Sequence, residues 1–148
     1  MTRRIPRGRE IRLRIVVTDP VPGVRLMVQS GRTELVAPTS VSEGEVCFDC
    51  RVRVTERDDG EPNFLGAFTH GPPSGRFLYI NAGRQAGDVD TCWDRRAKIP
   101  LGALTIGQVR DALARDHVLE VRIAGRGKDG GPVCATVKLP EGAWRVVK

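Results

Sequence analysis

The stretch Glu45-Val-Cys-Phe-Asp-Cys-Arg-Val-Arg-Val-Thr55 alternates along its whole length. Val46, Phe48, Cys50, Val52 and Val54 face one way, and Cys47, Asp49, Arg51 and Arg53 the other. Successive side chains of an extended chain point to opposite faces, so this pattern is a long strand with one apolar face and one wet face. A sheet with one wet face is the signature of antiparallel β architecture, and the rest of the chain is read outward from that point.

Upstream, Ile11, Leu13, Ile15 and Val17 alternate with Arg12, Arg14, Val16 and Thr18, a second strand of the same kind. It ends at Asp19-Pro-Val-Pro-Gly23, after which Val24, Leu26 and Val28 form another, and Thr33–Val36 a short fourth. Downstream, Phe64–Thr69 and Arg76–Asn81 flank Gly71-Pro-Pro-Ser-Gly75 and predict a hairpin with a five-residue loop. Thr91–Ile99 predicts a further strand. Val118–Ala124 and Val133–Leu139 predict two more, joined by the glycine loop Gly125–Pro132. One segment has helical spacing: Ile106, Val109 and Leu113 share a face, and Thr105 with Gln108 three residues on makes a capping box, which predicts a helix over Ile106–Arg115. Seventeen glycines and ten prolines are spread along the chain, as many tight turns require. The predicted fold is all-β and mainly antiparallel, a two-sheet sandwich or flattened barrel with one short α-helix near 106–115. In 148 residues this is a single domain over 10–148, preceded by a basic, flexible arm over 1–9.

The net charge of +6 belongs mostly to that arm. Residues 1–14 hold six arginines against Glu10 alone, a local charge of +5, which leaves +1 for the rest. A nearly neutral body argues against a nucleic-acid-binding face, although the arm can touch phosphate non-specifically. No apolar run approaches the length needed to cross a bilayer, and no apolar stretch follows the basic N-terminus as in a secretory signal. The expected setting is the cytoplasm, with reduced thiols and no membrane partner.

Several motifs lose force in context. Gly125-Arg-Gly127-Lys-Asp-Gly130 spells a dinucleotide fingerprint, but it joins strand to strand and opens no helix. It reads as a hairpin turn whose amides, with Arg126 and Lys128, could cradle an anion. Cys47-x-x-Cys50 lies inside a strand, where a spacing of three sends the thiols to opposite faces, so no metal site and no cofactor is expected. The Thr91–Ile99 strand puts Trp93, Arg95, Ala97 and Ile99 on one face and Cys92, Asp94, Arg96 and Lys98 on the other. Whichever face is buried, its cation needs an acid or a bound anion; for Arg95, Asp88 or Asp90 could answer. His70 sits at a turn, Tyr79 shares a face with Phe77 and Asn81, and His117 follows the helix, where its dipole is favourable.

The blocks Pro62-Asn-Phe-Leu-Gly66, His70-Gly-Pro-Pro73, Arg76-Phe-Leu-Tyr-Ile80, Trp93-Asp-Arg-Arg-Ala-Lys-Ile-Pro-Leu101 and Gly125-Arg-Gly-Lys-Asp-Gly-Gly-Pro-Val-Cys-Ala-Thr-Val137 resemble a bacterial family known as domain of unknown function 5990. The likeness runs from Ile11 to Trp144 and implies a bacterial single-domain protein. It implies no activity, cofactor or catalytic residue.

Three functions are compatible with these residues. The leading one is a binding module for a small anionic molecule, using Arg76, Tyr79, Trp93, Arg95, Arg126 and Lys128. A metal-independent acid–base enzyme of cyclase or isomerase type would draw its proton carriers from His70, Tyr79 and Asp90. An accessory interaction domain would use the basic arm. A homodimer is compatible with any of them.

Overall fold

The alternation of 45–55 is realised as the longest strand. In the computed structural model, which describes residues 4–31, 34–69, 75–85 and 91–147 (85 and 91–94 along the backbone only), β5 spans Glu45–Glu56. Val46, Phe48, Cys50, Val52 and Val54 are all buried, while Asp49, Arg51 and Arg53 are exposed. β1 (Glu10–Thr18) runs antiparallel to it, from Glu10 opposite Arg53 to Thr18 opposite Glu45. Ile11, Leu13, Ile15 and Val17 thereby join the same inward row.

The remaining elements, in chain order, are β2 (Arg25–Gln29), β3 (Leu35–Val36), β4 (Ser40–Ser42), β6 (Pro62–Leu65), β7 (Phe77–Gln85), β8 (Thr91–Pro100), α1 (Ile106–Arg115), β9 (Val118–Ala124) and β10 (Arg145–Val147). The first sheet has the order β10-β9-β1-β5-β4, with β6 on β5 as well; the second has the order β3-β2-β7-β8. Their apolar faces pack together, Leu13, Ile15, Phe48 and Val121 from the first against Val28, Leu78, Ile80, Ala97 and Ile99 from the second. The fold is an all-β sandwich with one short helix, and no barrel closes. The pairing of β1 with β9 is parallel, register Arg12–Val118 to Thr18–Ala124. Nothing in the alternation foretold that pairing, nor the short edge strands β4 and β10.

The helix has the predicted bounds. Gln108 N donates to Thr105 Oγ1 at 3.2 Å and Thr105 N to Gln108 Oε1 at 3.1 Å, which closes the capping box. Val109 and Ala112 are its buried residues, and Arg110 ties it to Glu56 at 2.6 Å. In residues 4–9, Arg4 meets Asp58 at 2.9 Å, Ile5 packs against the core, and the Arg9 carbonyl accepts from Val54 N at 3.0 Å.

Two expected strand pairings are corrected. The first is the hairpin of Phe64–Thr69 with Arg76–Asn81. β6 stops at Leu65 because Gly66 takes φ +84°, and it pairs with β5. The chain then passes to the second sheet, so β6 and β7 belong to different layers, and one bridge, Phe68–Phe77, is what remains of the hairpin. The second is the strand Val133–Leu139. The glycine turn does close, with Gly127 N donating to Gly131 O at 2.8 Å and a bridge from Arg126 to Pro132. Pro132 has no N–H to extend a ladder. After Val133 N bonds Gly125 O, the chain crosses to the other sheet, where Val137 N reaches Lys98 O at 2.8 Å. Val133, Val137 and Leu139 still pack against the core, which accounts for their apolar spacing without a strand.

Gly125 is needed where β9 ends beside β1. Its N–H donates to Thr18 O at 2.7 Å, and an added Cβ would lie 2.9 Å from Pro20 Cα, Thr18 O and Val17 Cγ1. Two of these are backbone atoms that cannot swing aside. Gly125→Ala is therefore expected to destabilise the domain by about 1–3 kcal/mol through overpacking. Gly107→Ala is expected to act in the opposite sense, by up to about 1 kcal/mol, because a helical Cβ there meets only Thr105 Oγ1 at 3.8 Å. Thermal denaturation of both variants checks the pair: a Gly125→Ala Tm at or above that of the parent contradicts the close approach.

Candidate functional site

The two ends of the sandwich differ. The end where β1 starts and β5 finishes is occupied by α1, through Arg9 to the Leu113 carbonyl and Arg110 to Glu56. At the other end β1 and β9 finish side by side at Thr18 and Ala124, and the glycine loop follows. There the second sheet contributes Ala82–Arg84 from β7 and Arg95 from β8. The strands are out of step at this point. Ala82 lies opposite Arg95 but Gly83 lies opposite Trp93, so Asp94 is an extra residue. Such a bulge bends its strand and re-aims nearby side chains. The even alternation that the sequence ran through Trp93 and Arg95 is interrupted between them.

A cavity of about 290 Å³ opens at this end, lined by Val24, Ala82, Gly83, Arg84, Arg95 and Pro132. Arg95 is its best-defined polar group. Arg95 Nη1 donates to Asp129 Oδ2 at 2.8 Å, to the Pro132 carbonyl at 3.4 Å and to Cys134 Sγ at 3.6 Å. Asp129 Oδ1 accepts from Gly131 N at 3.0 Å. The guanidinium lies close enough to the loop that a Cβ at Gly131 would come within 3.3 Å of its Cζ. The hydrogen bond from Arg95, then that from the Gly131 amide, holds the Asp129 carboxyl below the usual carboxylate range. The same contact raises Arg95 further above its already high value. The acid that answers Arg95 is thus in the glycine loop; Asp88 and Asp90 lie outside the described residues.

The sequence-selected residues divide between places. Arg95, Arg126 and Lys128 share this end of the molecule. Arg126 is committed to Asp19, with Nε 3.1 Å from Oδ2 and 3.3 Å from the backbone carbonyl, while Lys128 is exposed on the loop. Tyr79 is elsewhere. It pairs with Lys98, and Ala82 pairs with Arg95, so three residues along β7 the side chain has changed face. Tyr79 belongs to an outer cluster in which its ring centroid is 4.7 Å from Phe68 and 5.0 Å from Phe77, with Arg96 Cζ 5.2 Å above it. Lys98 Nζ stands 4.7 Å over Phe77. Arg76 precedes β7 at the far end, its carbonyl accepting from Leu101 N at 2.8 Å and its Nε enclosed without a partner among the described residues. His70 and Asp90 lie outside the described residues, and Trp93 is described along the backbone only. Cys47 and Cys50 fall on opposite faces of β5 as their spacing requires, and burial pushes the Cys50 thiol up to about 12, the charge of Asp49 adding to it.

Arg84 and Val24 were missed by the sequence reading. The available signal was Asn81-Ala-Gly-Arg84, since a glycine inside a strand often marks a bulge or a close approach. Asp129 had looked like a turn residue only.

Comparison with known proteins bears out the family resemblance. The family described as Family of unknown function (DUF5990) matches residues 11–147, nearly the whole chain, and the chain belongs to it. No curated protein and no solved structure matches it.

The Arg95–Asp129 pair sets a pH expectation. The folded carboxyl titrates below its unfolded value, so its stabilising effect is complete above the unfolded value and is lost as pH falls through the folded one. In a carboxyl-carbon NMR titration, the Asp129 midpoint should lie below that of an ordinary aspartate and move up towards it in Arg95→Ala. A midpoint unmoved by that substitution would show that the guanidinium is not what holds the carboxylate.

Proposed function

We propose that this domain is a cytoplasmic bacterial binding module for a small carboxylate-bearing molecule, taken up in the cavity beside Arg95. The observation that carries this reading is the division of labour on one guanidinium. Every hydrogen bond that Arg95 makes among the described residues leaves from Nη1. Those contacts anchor the group against the loop and leave the Nε–Nη2 edge, which is the edge that meets a carboxylate in a bidentate fork. An anchored guanidinium loses little freedom when it binds, and that preserves affinity. The apolar wall of Val24, Ala82 and Pro132 supports a ligand with a compact hydrocarbon body, at the small end of the range for ligand pockets. Arg84 at the rim adds positive charge for approach, and the free thiols of Cys47, Cys50 and Cys134 suit a reducing compartment.

The acid–base alternative gains no support from this arrangement, because Tyr79 and Arg95 lie on opposite faces of the second sheet.

Thermal shift followed by calorimetry against a library of small carboxylic acids tests the proposal. A saturable ligand is expected, with affinity at least roughly ten-fold weaker in Arg95→Ala, the usual consequence of losing hydrogen bonds to a charged group. Arg76→Ala, at the opposite end, should bind as the parent does. Flat responses from the parent and Arg95→Ala alike would sink the reading.

A further inference from the structure

The outer face of the first sheet carries a second cationic feature, independent of the cavity. Arg12 on β1 and Arg51 on β5 are direct cross-strand partners. Like charges placed opposite each other in an antiparallel pair are destabilising. The flanking rows are balanced: Glu10 faces Arg53, and Arg14 faces Asp49 on one side and Glu120 on the other, at 3.2 and 3.9 Å. In the Arg12 row the next position on β9 is Val118, which has no charge to offer.

Among the described residues Arg12 has one acid, Asp116 at the C-terminus of α1, whose carboxylate lies 3.1 Å from Nη2 and whose carbonyl also accepts from it. Arg51 has no ion pair or side-chain hydrogen bond among the described residues, although it is exposed and its cross-strand partner is a cation. Arg12 Nε is enclosed and also lacks an acceptor among the described residues. The two side chains line a concavity of about 210 Å³ with Leu13, Arg14, Asp49, Cys50 and Val118. Asp49 does not neutralise the row, since its carboxylate is engaged by Arg14 Nε.

We propose that this concavity is an oxyanion site for a phosphate group, held between Arg12 and Arg51 with Arg14 at its edge. A tetrahedral dianion offers acceptors to both guanidinium groups at once, which a single carboxylate spanning two strands does less well. It would relieve the Arg12–Arg51 repulsion and supply the partner that Arg51 lacks among the described residues. The site takes inorganic phosphate or a phosphoryl group carried on a small molecule; the chemistry recognised is the same.

The test follows arginine Nε–H resonances by NMR while inorganic phosphate, or phosphoserine in a parallel arm, is titrated at constant ionic strength. Saturable shifts at Arg12 and Arg51 are expected, lost in Arg51→Thr and kept in Arg95→Ala, so that failure here and failure at the cavity are separable. Phosphoserine binding as tightly as the free ion would assign a carried phosphoryl group, and phosphate alone a free ion; both support the site. Phosphate should also raise the Tm of the parent more than that of Arg51→Thr, which folds with a good strand former in place. Shifts that stay linear and equal at all exposed arginines, or are matched by chloride, mean ionic screening only and overturn the proposal.

Discussion

β1 is hydrogen-bonded along both edges over almost its full length, antiparallel to β5 and parallel to β9. Its inward row, Ile11, Leu13, Ile15 and Val17, is at most 2% exposed, and each such side chain contributes about 1.5–3 kcal/mol by leaving water. One of its partners is reached within the first third of the chain and the other only after α1. A parallel partner cannot be joined by a tight turn, and here the crossover between the two strands carries the whole second sheet and the helix. The finishing point of that parallel pair is also fixed: Thr18 O accepts from Gly125 N, and Pro20 packs on the Gly125 backbone. The glycine loop and the cavity are where they are because β1 and β9 end together.

The second consequence concerns β7. Its inward residues, Leu78, Ile80 and Ala82, are buried against the first sheet, so Phe77, Tyr79 and Asn81 must point outward. An aromatic cluster and an anchored arginine that are neighbours in sequence are thereby sent to opposite sides of one sheet. The outer cluster has its own cohesion, ring on ring with Arg96 and Lys98 above, and this accounts for its low exposure without a ligand. It accounts less well for Asn81, 1% exposed, whose Nδ2 donates to Gln29 Oε1 at 3.0 Å while its own Oδ1 has no partner among the described residues.

What could be read from sequence follows from which interactions are local. The two-residue alternation of 11–17 and 45–55, and the capping box at Thr105, are set within a few residues, and strands and helix appear with nearly the expected bounds. Strand partners are not local. Phe64–Leu65 had a turn and another strand after it, the pattern of a hairpin, yet β5 offered a longer free edge and Gly66 allowed the exit. Val133–Leu139 had strand spacing but met the core as an irregular segment, because packing rewards apolar spacing whether or not a ladder forms. The site was half legible. Arg95 stood out as a cation that would need an answering acid were its face inward, but that acid lies 34 residues further on, and no pattern connects them. Arg84 carried no signal beyond the glycine before it.

The pairing of Arg95 with Asp129 bears on what kind of ligand the cavity can select. A guanidinium and a carboxylate 2.8 Å apart nearly cancel at a distance, so a simple ion gains little by approaching Arg95. Any preference must then come from short-range terms: two directed hydrogen bonds to the remaining edge of the guanidinium, and contact with Val24, Ala82 and Pro132. Directed bonds reward a planar acceptor of the right width, which favours a carboxylate over a halide or a spherical ion. Apolar contact rewards a body that fills about 290 Å³, which disfavours both a bare carboxylate such as formate and a long or bulky acid. The glycines are part of this selection. Were Gly131 alanine, its Cβ would lie 3.3 Å from the Arg95 Cζ and Nη1, and the guanidinium would have to shift by a few tenths of an ångström. The same loop that supplies the neutralising acid therefore also limits how the guanidinium can lie.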